Sequence, residues 1–270
     1  MKTAFQIRRF GPVQCLQGSI YRFGRKFTYC CYYIDGLLID TGPPCARKDL
    51  QKFIKTLHIT GIVITHYHED HTGNAAWISK ERNVPVYMNP ATAIKLGQAH
   101  IPLYRKLIWG HLETISSLPL HNELKTNHFH FSIVETPGHS EDHITIVEED
   151  QKWLFSGDLF LGRRLLYGMR NESVPQLIES IDKVVKYNFD TLFCGHVGIV
   201  EDGKEGLLAK KEYLQWLMQE TLDLKKEGYS LESITEKLLP SQRLVSWFSR
   251  GEMSPMHLIS SIVEQPNSKH

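Results

Sequence analysis

The chain reads as an α/β fold in which short buried strands deliver polar groups to one edge of the molecule. Three observations predict this. Short β-branched or aromatic runs bounded by turn residues recur, among them Leu37 to Ile39, Ile62 to Ile64 and Trp153 to Phe155. Between them lie stretches with apolar residues at helical spacing, such as Leu50, Phe53, Ile54 and Leu57. An Asp or His then follows run after run: Asp40, His66, Asp158 and His196 each come just past a predicted strand. Strand ends on a shared edge are where segments distant in sequence can build one site.

Taken in order, Val13 to Tyr21, Lys26 to Ile34 and Leu37 to Ile39 read as strands, with Gly24 and Asp35-Gly36 as turns. The Asp-Gly pair is a strong hairpin signal. A helix carrying Leu50 to Leu57 lies between Pro44 and Gly61 and packs one apolar face on the sheet. The strand at 62–64, a loop and a helix over roughly Thr72 to Lys80 follow. Pro85 to Met88 is a short strand and Thr92 to His100 a helix, whereas Ile101 to Leu120 is irregular and rich in large apolar groups. Phe131 to Glu135 is a strand, and Ile144 to Glu148 pairs with Lys152 to Phe155 across Glu149-Asp150. Ser173-Val174-Pro175-Gln176 is a capping-box pattern that opens a helix with Leu177, Ile178, Ile181, Val184 and Val185 on its apolar face. Asp190 to Phe193 is the strand that delivers His196. Beyond about residue 203 the pattern is helical, first through Leu207, Leu208, Leu214, Leu217, Met218 and Leu222. Ser230 caps a short helix running to Leu239, and Ser254-Pro255 opens a last one with Met253 and Leu258 spaced as a hydrophobic staple.

The chemistry concentrates in the loop Thr65 to Gly73, THYHEDHTG. In extended backbone alternate side chains point the same way, so His66, His68 and Asp70 can converge on one point. The start of the following helix then turns His71 toward the same region. A chance match to this cluster is of order one in a thousand for such a composition. Imidazole and carboxylate at this density suit a borderline cation such as zinc. Three further segments add donors: TPGHSEDH at 136–143 offers His139 after a Pro-Gly turn, FSGDLF at 155–160 offers Asp158, and LFCGH at 192–196 offers His196.

Together with Asp40 in LLIDTG at 37–42, these five motifs, in this order over roughly residues 10 to 200, resemble the metallo-β-lactamase superfamily. The likeness is to its dinuclear hydrolase branch of glyoxalase II-like thioesterases and lactonases. It implies a four-layer αββα sandwich over residues 1–202 with a C-terminal helical extension over 203–270. It implies that His66, His68 and His139 bind one divalent metal, that Asp70, His71 and His196 bind a second, and that Asp158 bridges the two. Zinc is the first choice of metal, with iron or manganese compatible with the same donors. The implied reaction is attack by a metal-bridging hydroxide on the carbonyl of a small thioester, ester or lactone, since a bound divalent ion can lower the pKa of water to about 7. Asp158 and Asp70 are the implied catalytic residues, Asp70 also as proton shuttle. Asp40 would orient a ligand histidine by accepting its second N–H; on the residues alone, a turn-forming Asp before Thr-Gly fits as well. His143 matches a structural histidine of the family pattern. His100, His111, His121, His128 and His130 match no motif and read as non-ligands. Tyr104 and Trp109 are expected to wall the substrate pocket, with Arg163 or Arg164 and Tyr167 in contact with substrate. The alternatives are core packing under a loop for the first pair and an exposed basic pair for the arginines.

A formal net charge of +1 over 270 residues gives no electrostatic case for nucleic acid or an anionic membrane. That weighs against the alternative reading as an endoribonuclease-like phosphodiesterase, which needs a basic track. A non-catalytic metal-binding scaffold is the other alternative, and the full set of seven donors argues against it. The expected partner is a small molecule. The five cysteines are odd in number and follow no disulfide spacing, so they read as reduced. The N-terminus has no apolar signal-like core and no run approaches the ~18 apolar residues of a membrane span. The expectation is therefore a cytoplasmic protein rather than a periplasmic antibiotic hydrolase. The helical tail could close over the site, mediate a homodimer or only pack on the sheet.

Overall fold

In the computed structural model, which describes residues 2–98, 101–240, 246–247 and 249–264, the strands form two large sheets. The first contains β1 (Lys2–Phe10), β2 (Val13–Arg22), β3 (Arg25–Ile34), β4 (Leu37–Ile39), β5 (Gly61–Ile64), β6 (Val86–Met88) and β7 (Leu118–Pro119), side by side in chain order. Its first four strands are antiparallel, and β4 to β7 are parallel. The second sheet is built from β8 (Glu123–Lys125), β9 (His130–Glu135), β10 (Ile144–Glu148) and β11 (Trp153–Gly157), then β13 (Thr191–Cys194) and β14 (Gly198–Val200). There β11 and β13 run parallel, and the remaining pairs are antiparallel. A small ladder joins β12 (Gly168–Met169) to β15 (Met253–Ser254). The helices are α1 (Arg47–Ile54), α2 (Glu69–Thr72), α3 (Ala75–Arg82), α4 (Pro90–Gln98), α5 (Leu103–Trp109), α6 (Val174–Val184), α7 (Gly203–Lys226), α8 (Leu231–Leu238) and α9 (Pro255–Val263).

Alternation along the strands sorts the apolar side chains into three cores, which is what makes four layers. Cys15, Cys30, Val63, Ile144, Ile146, Phe155 and Phe193 meet between the sheets. Their neighbours Leu16, Cys31, Ile62 and Ile64 face outward against Leu50 and Phe53 of α1, Ile78 of α3 and Ile108 of α5. On the other side Val147, Leu154, Leu192 and Cys194 pack against Leu177 of α6, Leu207 and Leu214 of α7, Ile234 of α8 and Leu258 of α9. Successive strand residues point to opposite faces, so one run of sequence serves two layers. Phe155 and Phe193 stack at 4.6 Å and 17° between the sheets, a contact worth about 0.5–1.5 kcal/mol beyond the area it buries.

Several elements differ from the sequence expectation. The segment 101–120, read as irregular, contains α5 and β7, and the short strands β8, β12 and β14 carry no strong pattern. Two further differences have a clear cause. Strand β1 pairs with β2 along its whole length, from Lys2↔Tyr21 to Phe10↔Val13, although most of its residues are exposed. Its order comes from that ladder rather than from an apolar run, so no hydrophobic pattern announced it. The helix expected over Thr72 to Lys80 is two pieces, α2 and α3, broken at Gly73-Asn74. A Cβ at Gly73 would lie 2.3 Å from Pro44 Cδ, so the chain turns there where only glycine fits. Other boundaries agree closely: Leu37–Ile39 and Ile144–Glu148 are strands as read, and the Ser173 hydroxyl accepts from the Gln176 N–H at the start of α6. His100 lies outside the described residues.

Candidate metal centre

The parallel strands end together, and the donors sit just beyond their carboxyl ends. Asp40 follows β4, His66 follows β5, Asp158 follows β11 and His196 follows β13. The two sheets are stitched at this edge by Ile144 N–H donating to Thr65 O (3.0 Å) and Cys30 N–H donating to Gly195 O (2.6 Å). Glycine lets the segments approach. A Cβ at Gly195 would lie 2.6 Å from Asp158 Oδ1 and 2.7 Å from His71 Cε1, and Gly157 has φ +47° with His143 Nε2 where its Cβ would be.

Seven buried or half-buried side chains gather in two groups that could hold metal ions: His66, His68, His139 and Asp158, and beside them Asp70, His71 and His196. Asp70 does not join His66 and His68 on one point, as extended backbone would have it. His68 is extended, but Asp70 and His71 lie on the single helical turn of α2, which swings both toward His196. In the first group His66 Nε2 and His139 Nε2 lie 2.9 and 3.1 Å from His68 Nδ1. Asp158 reaches both groups, with Oδ2 at 3.3 Å from His139 Nε2 and 3.1 Å from His196 Nε2, and Oδ1 at 3.3 Å from His71 Nε2. Asp70 Oδ2 lies 3.4 Å from His196 Nε2.

Most of these rings are held from behind. His71 Nδ1 donates to Asp40 Oδ2 at 2.7 Å, and Asp40 is itself fixed by the Thr65 N–H and hydroxyl at 2.9 and 2.8 Å. His139 Nδ1 faces Glu172 Oε1 at 3.3 Å, and His196 Nδ1 donates to Thr28 O at 2.5 Å. His66 Nδ1 lies 3.0 Å from the Thr65 hydroxyl. These contacts fix the tautomers and turn the other nitrogen inward. Asp40 holds its place at φ +56°, a conformation that costs a non-glycine residue energy and persists where surrounding bonds over-determine it.

The donor set fits a divalent cation. His71 Nε2 and Asp158 Oδ1 are buried at the middle with no hydrogen-bond partner, and such atoms are costly unless something else satisfies them. Nitrogen and carboxylate oxygen in this ratio suit zinc, iron or manganese. Burial pushes His66 and His68 well below the ordinary imidazole range, so both stay neutral with lone pairs free. Burial would lower His71 and His196 too, but Asp158 overrides it and raises both, His196 to about 9. Those two are therefore the groups that would lose protons to a cation. His143 is structural, as read: its Nε2 accepts from the Asp158 N–H at 3.0 Å and its Nδ1 lies 2.8 Å from the Thr136 hydroxyl. Burial depresses its pKa to about 3, which keeps Nε2 an acceptor.

The model of the metallo-beta-lactamase superfamily matches residues 31–196, a span that contains every one of these donors. The chain belongs to the metallo-beta-lactamase superfamily. A hydroxyacylglutathione hydrolase of Hahella chejuensis is 27% identical over 216 residues, which is 77% of this chain and 71% of that protein. An uncharacterized protein of Aquifex aeolicus is 28% identical over 63% of this chain and 82% of its own length. Among solved structures, a metallo-beta-lactamase from Pontibacter korlensis superposes with a TM-score of 0.64 at 18% identity, covering 78% of this chain and 99% of that one. That last likeness speaks for the fold alone.

In this superfamily member a cavity of about 400 Å³ opens beside the donors. Tyr104, Trp109, Arg164 and Tyr167 line it. Arg163 does not: it is exposed and paired with Asp202 at 2.5 Å, because consecutive residues of that loop point apart. His111, His121, His128 and His130 are exposed and remote, the last two paired with Asp35 and Glu123. The five cysteines are free, and Cys194 is buried with its sulfur accepting from His196 and Val197 N–H, so it is structural. Sequence reasoning missed Glu172, the Arg105–Glu69 pair on the cavity wall, and Met253, which reaches the cavity from the C-terminal ladder. No spacing rule marks such residues, although a Glu directly before the Ser173 cap was visible. Among the described residues no helix is long and apolar enough to cross a membrane.

Proposed function

We propose that this chain is a metal-dependent hydrolase of small thioesters, esters or lactones that works with two divalent cations, zinc first. The observation that carries the reading is the Asp158 carboxylate, within 3.3 Å of His139, His71 and His196 and so shared by both donor groups. His66, His68 and His139 would hold one ion, Asp70, His71 and His196 the other, and Asp158 both. Bound cations would supply carbonyl polarisation and ionised water at neutral pH, so no Ser or Cys nucleophile is needed. Asp40, Glu172 and the Thr28 carbonyl keep the imidazoles aimed, each engaging a ring's outer nitrogen so that the inner one can face a cation. Asp70 edges the cavity and is the group we assign to proton transfer toward the leaving group. Tyr104, Trp109, Arg164 and Tyr167 wall the substrate. Residues 1–202 would form the domain that carries the metal centre and 203–270 an extension to it, whose described residues are mainly helical and supply Met253 to the wall.

Relatives named hydroxyacylglutathione hydrolase put thioesters first among the candidate bonds. The test is hydrolysis of S-lactoylglutathione and of acyl-homoserine lactones by zinc-loaded protein, with Asp158→Ala as control. Turnover that disappears in a folded Asp158→Ala variant is the expected result. Inactivity toward a broad panel of esters, thioesters and lactones would sink the proposal.

A further inference from the structure

We propose that the cavity accepts a substrate with an apolar acyl chain, packed between α5 and the β12–β15 ladder, and that Trp109, Met169 and Met253 set the chain length it prefers. This rests on the hydrolase reading above and narrows it. The cavity has a mixed lining. Its carboxylates and imidazoles are metal-site donors and Glu172, which sits behind His139; apart from Lys26, Thr28, Arg105 and Arg164, the rest of the lining is apolar or aromatic, with Trp109, Leu165, Met169 and Met253 among it. Trp109 is 9% exposed and packs edge-on to Phe27 at 5.6 Å, so that wall is fixed. Arg105 also lines the cavity, but buried Glu69 neutralises it, so it offers no free charge to select an anion. Lys26 and Arg164 are exposed and belong to the rim.

Another part of the lining comes from far away in sequence. The antiparallel pairs Gly168↔Ser254 and Met169↔Met253 bring two thioether side chains together beside the centre, and both line the cavity. Methionine is unbranched and polarizable, so it moulds to flexible alkyl chains of differing shape. A lining that combines rigid aromatic rings with adaptable thioethers suits an extended acyl group better than a compact polar one. The volume of about 400 Å³ lies within the range of small-ligand sites and leaves room for a chain of several carbons.

The experiment has two arms on the metal-loaded protein. The first measures kcat/KM for N-acetylcysteamine thioesters from acetyl to decanoyl. A fully buried methylene is worth about fourfold, so the value should climb about two- to fourfold per carbon up to hexanoyl or octanoyl. Met253→Ser and Trp109→Ala should each lower the octanoyl-to-acetyl ratio by about tenfold, and Met253→Leu should preserve it. The second arm titrates octanoate and acetate calorimetrically, which needs no turnover; octanoate should bind about tenfold tighter or better, and Met253→Ser should erase the difference. Turnover with a flat or falling chain-length profile overturns this inference and leaves the hydrolase reading standing. No turnover of these thioesters, with octanoate still preferred through Met253, supports the apolar cavity and rejects the thioester part of the hydrolase reading. No turnover and no preference for octanoate overturns this inference and that part alike.

Discussion

Lys210 Nζ, on α7, lies 2.7 Å from the Leu159 carbonyl oxygen and 2.9 Å from that of Phe160, the two residues that follow Asp158. The lysine is fully buried and comes from the C-terminal helices. It thus braces from behind the turn that aims the shared carboxylate. A buried ammonium is tolerated where it is hydrogen-bonded, and both carbonyls would otherwise lack a donor in the interior.

Lys210→Met should destabilise the protein by about 1–3 kcal/mol, since two buried acceptors lose their donor while the cost of a buried cation is relieved. The loss should depend on pH. Burial pushes Lys210 down to about 8, below the ~10.4 of an unfolded lysine. Between those values the unfolded chain binds the extra proton, so wild-type stability gains on the variant as pH rises from about 8 to 10. Urea unfolding of both proteins near pH 7.5 and 9.5, at one metal concentration, checks this. A gap that narrows with pH would contradict the assignment.

Glu172 and Asp40 should act on metal affinity through the rings they hold. Glu172→Leu removes the partner of His139 Nδ1, and a lost partner of this kind costs about 10–100-fold in affinity. Glu172→Gln keeps an acceptor and should cost less. Asp40→Asn tolerates the same left-handed backbone, but its amide NH2 must replace an oxygen that accepts from Thr65 or His71, so it removes an acceptor as well as the charge beside His71. Competition with a chromogenic chelator measures all three, and affinities equal to wild type would show that these contacts serve folding alone.

Chelation should lower the unfolding midpoint, and zinc should restore it, by about 2.7 kcal/mol at a hundredfold excess over Kd. Metal-free protein carries raised folded-state pKa values at His196, to about 9, and at His71. That contribution is complete below the unfolded value near 6.5 and is lost as pH climbs through the folded one. A cation competes with the same protons, so its stabilising effect should grow from about pH 6 to 9. Thermal melts with and without chelator across that interval read it directly; a constant difference would mean the ion binds elsewhere.

Local pattern alone made most of the fold and the donors legible. Strand alternation sorts Cys30 from Cys31 and Leu154 from Phe155 into different layers, and that alternation is written residue by residue. His66, His68, Asp70 and His71 stand out because they are neighbours in sequence, and His139, Asp158 and His196 because each follows a turn or strand signal. Their division into two groups was not open to spacing: Asp70 joins His196 because α2 begins at Glu69, which tertiary packing decided. Tertiary packing likewise set Glu172 behind His139, Lys210 beneath Asp158, Met253 into the cavity that Trp109 lines, and Arg163 out to Asp202. Each of those contacts joins segments that are separate along the chain, and it exists only once the cores between them have closed. A periodic pattern reports which way a side chain leaves its own backbone; what it meets there depends on the other segments that have packed against it.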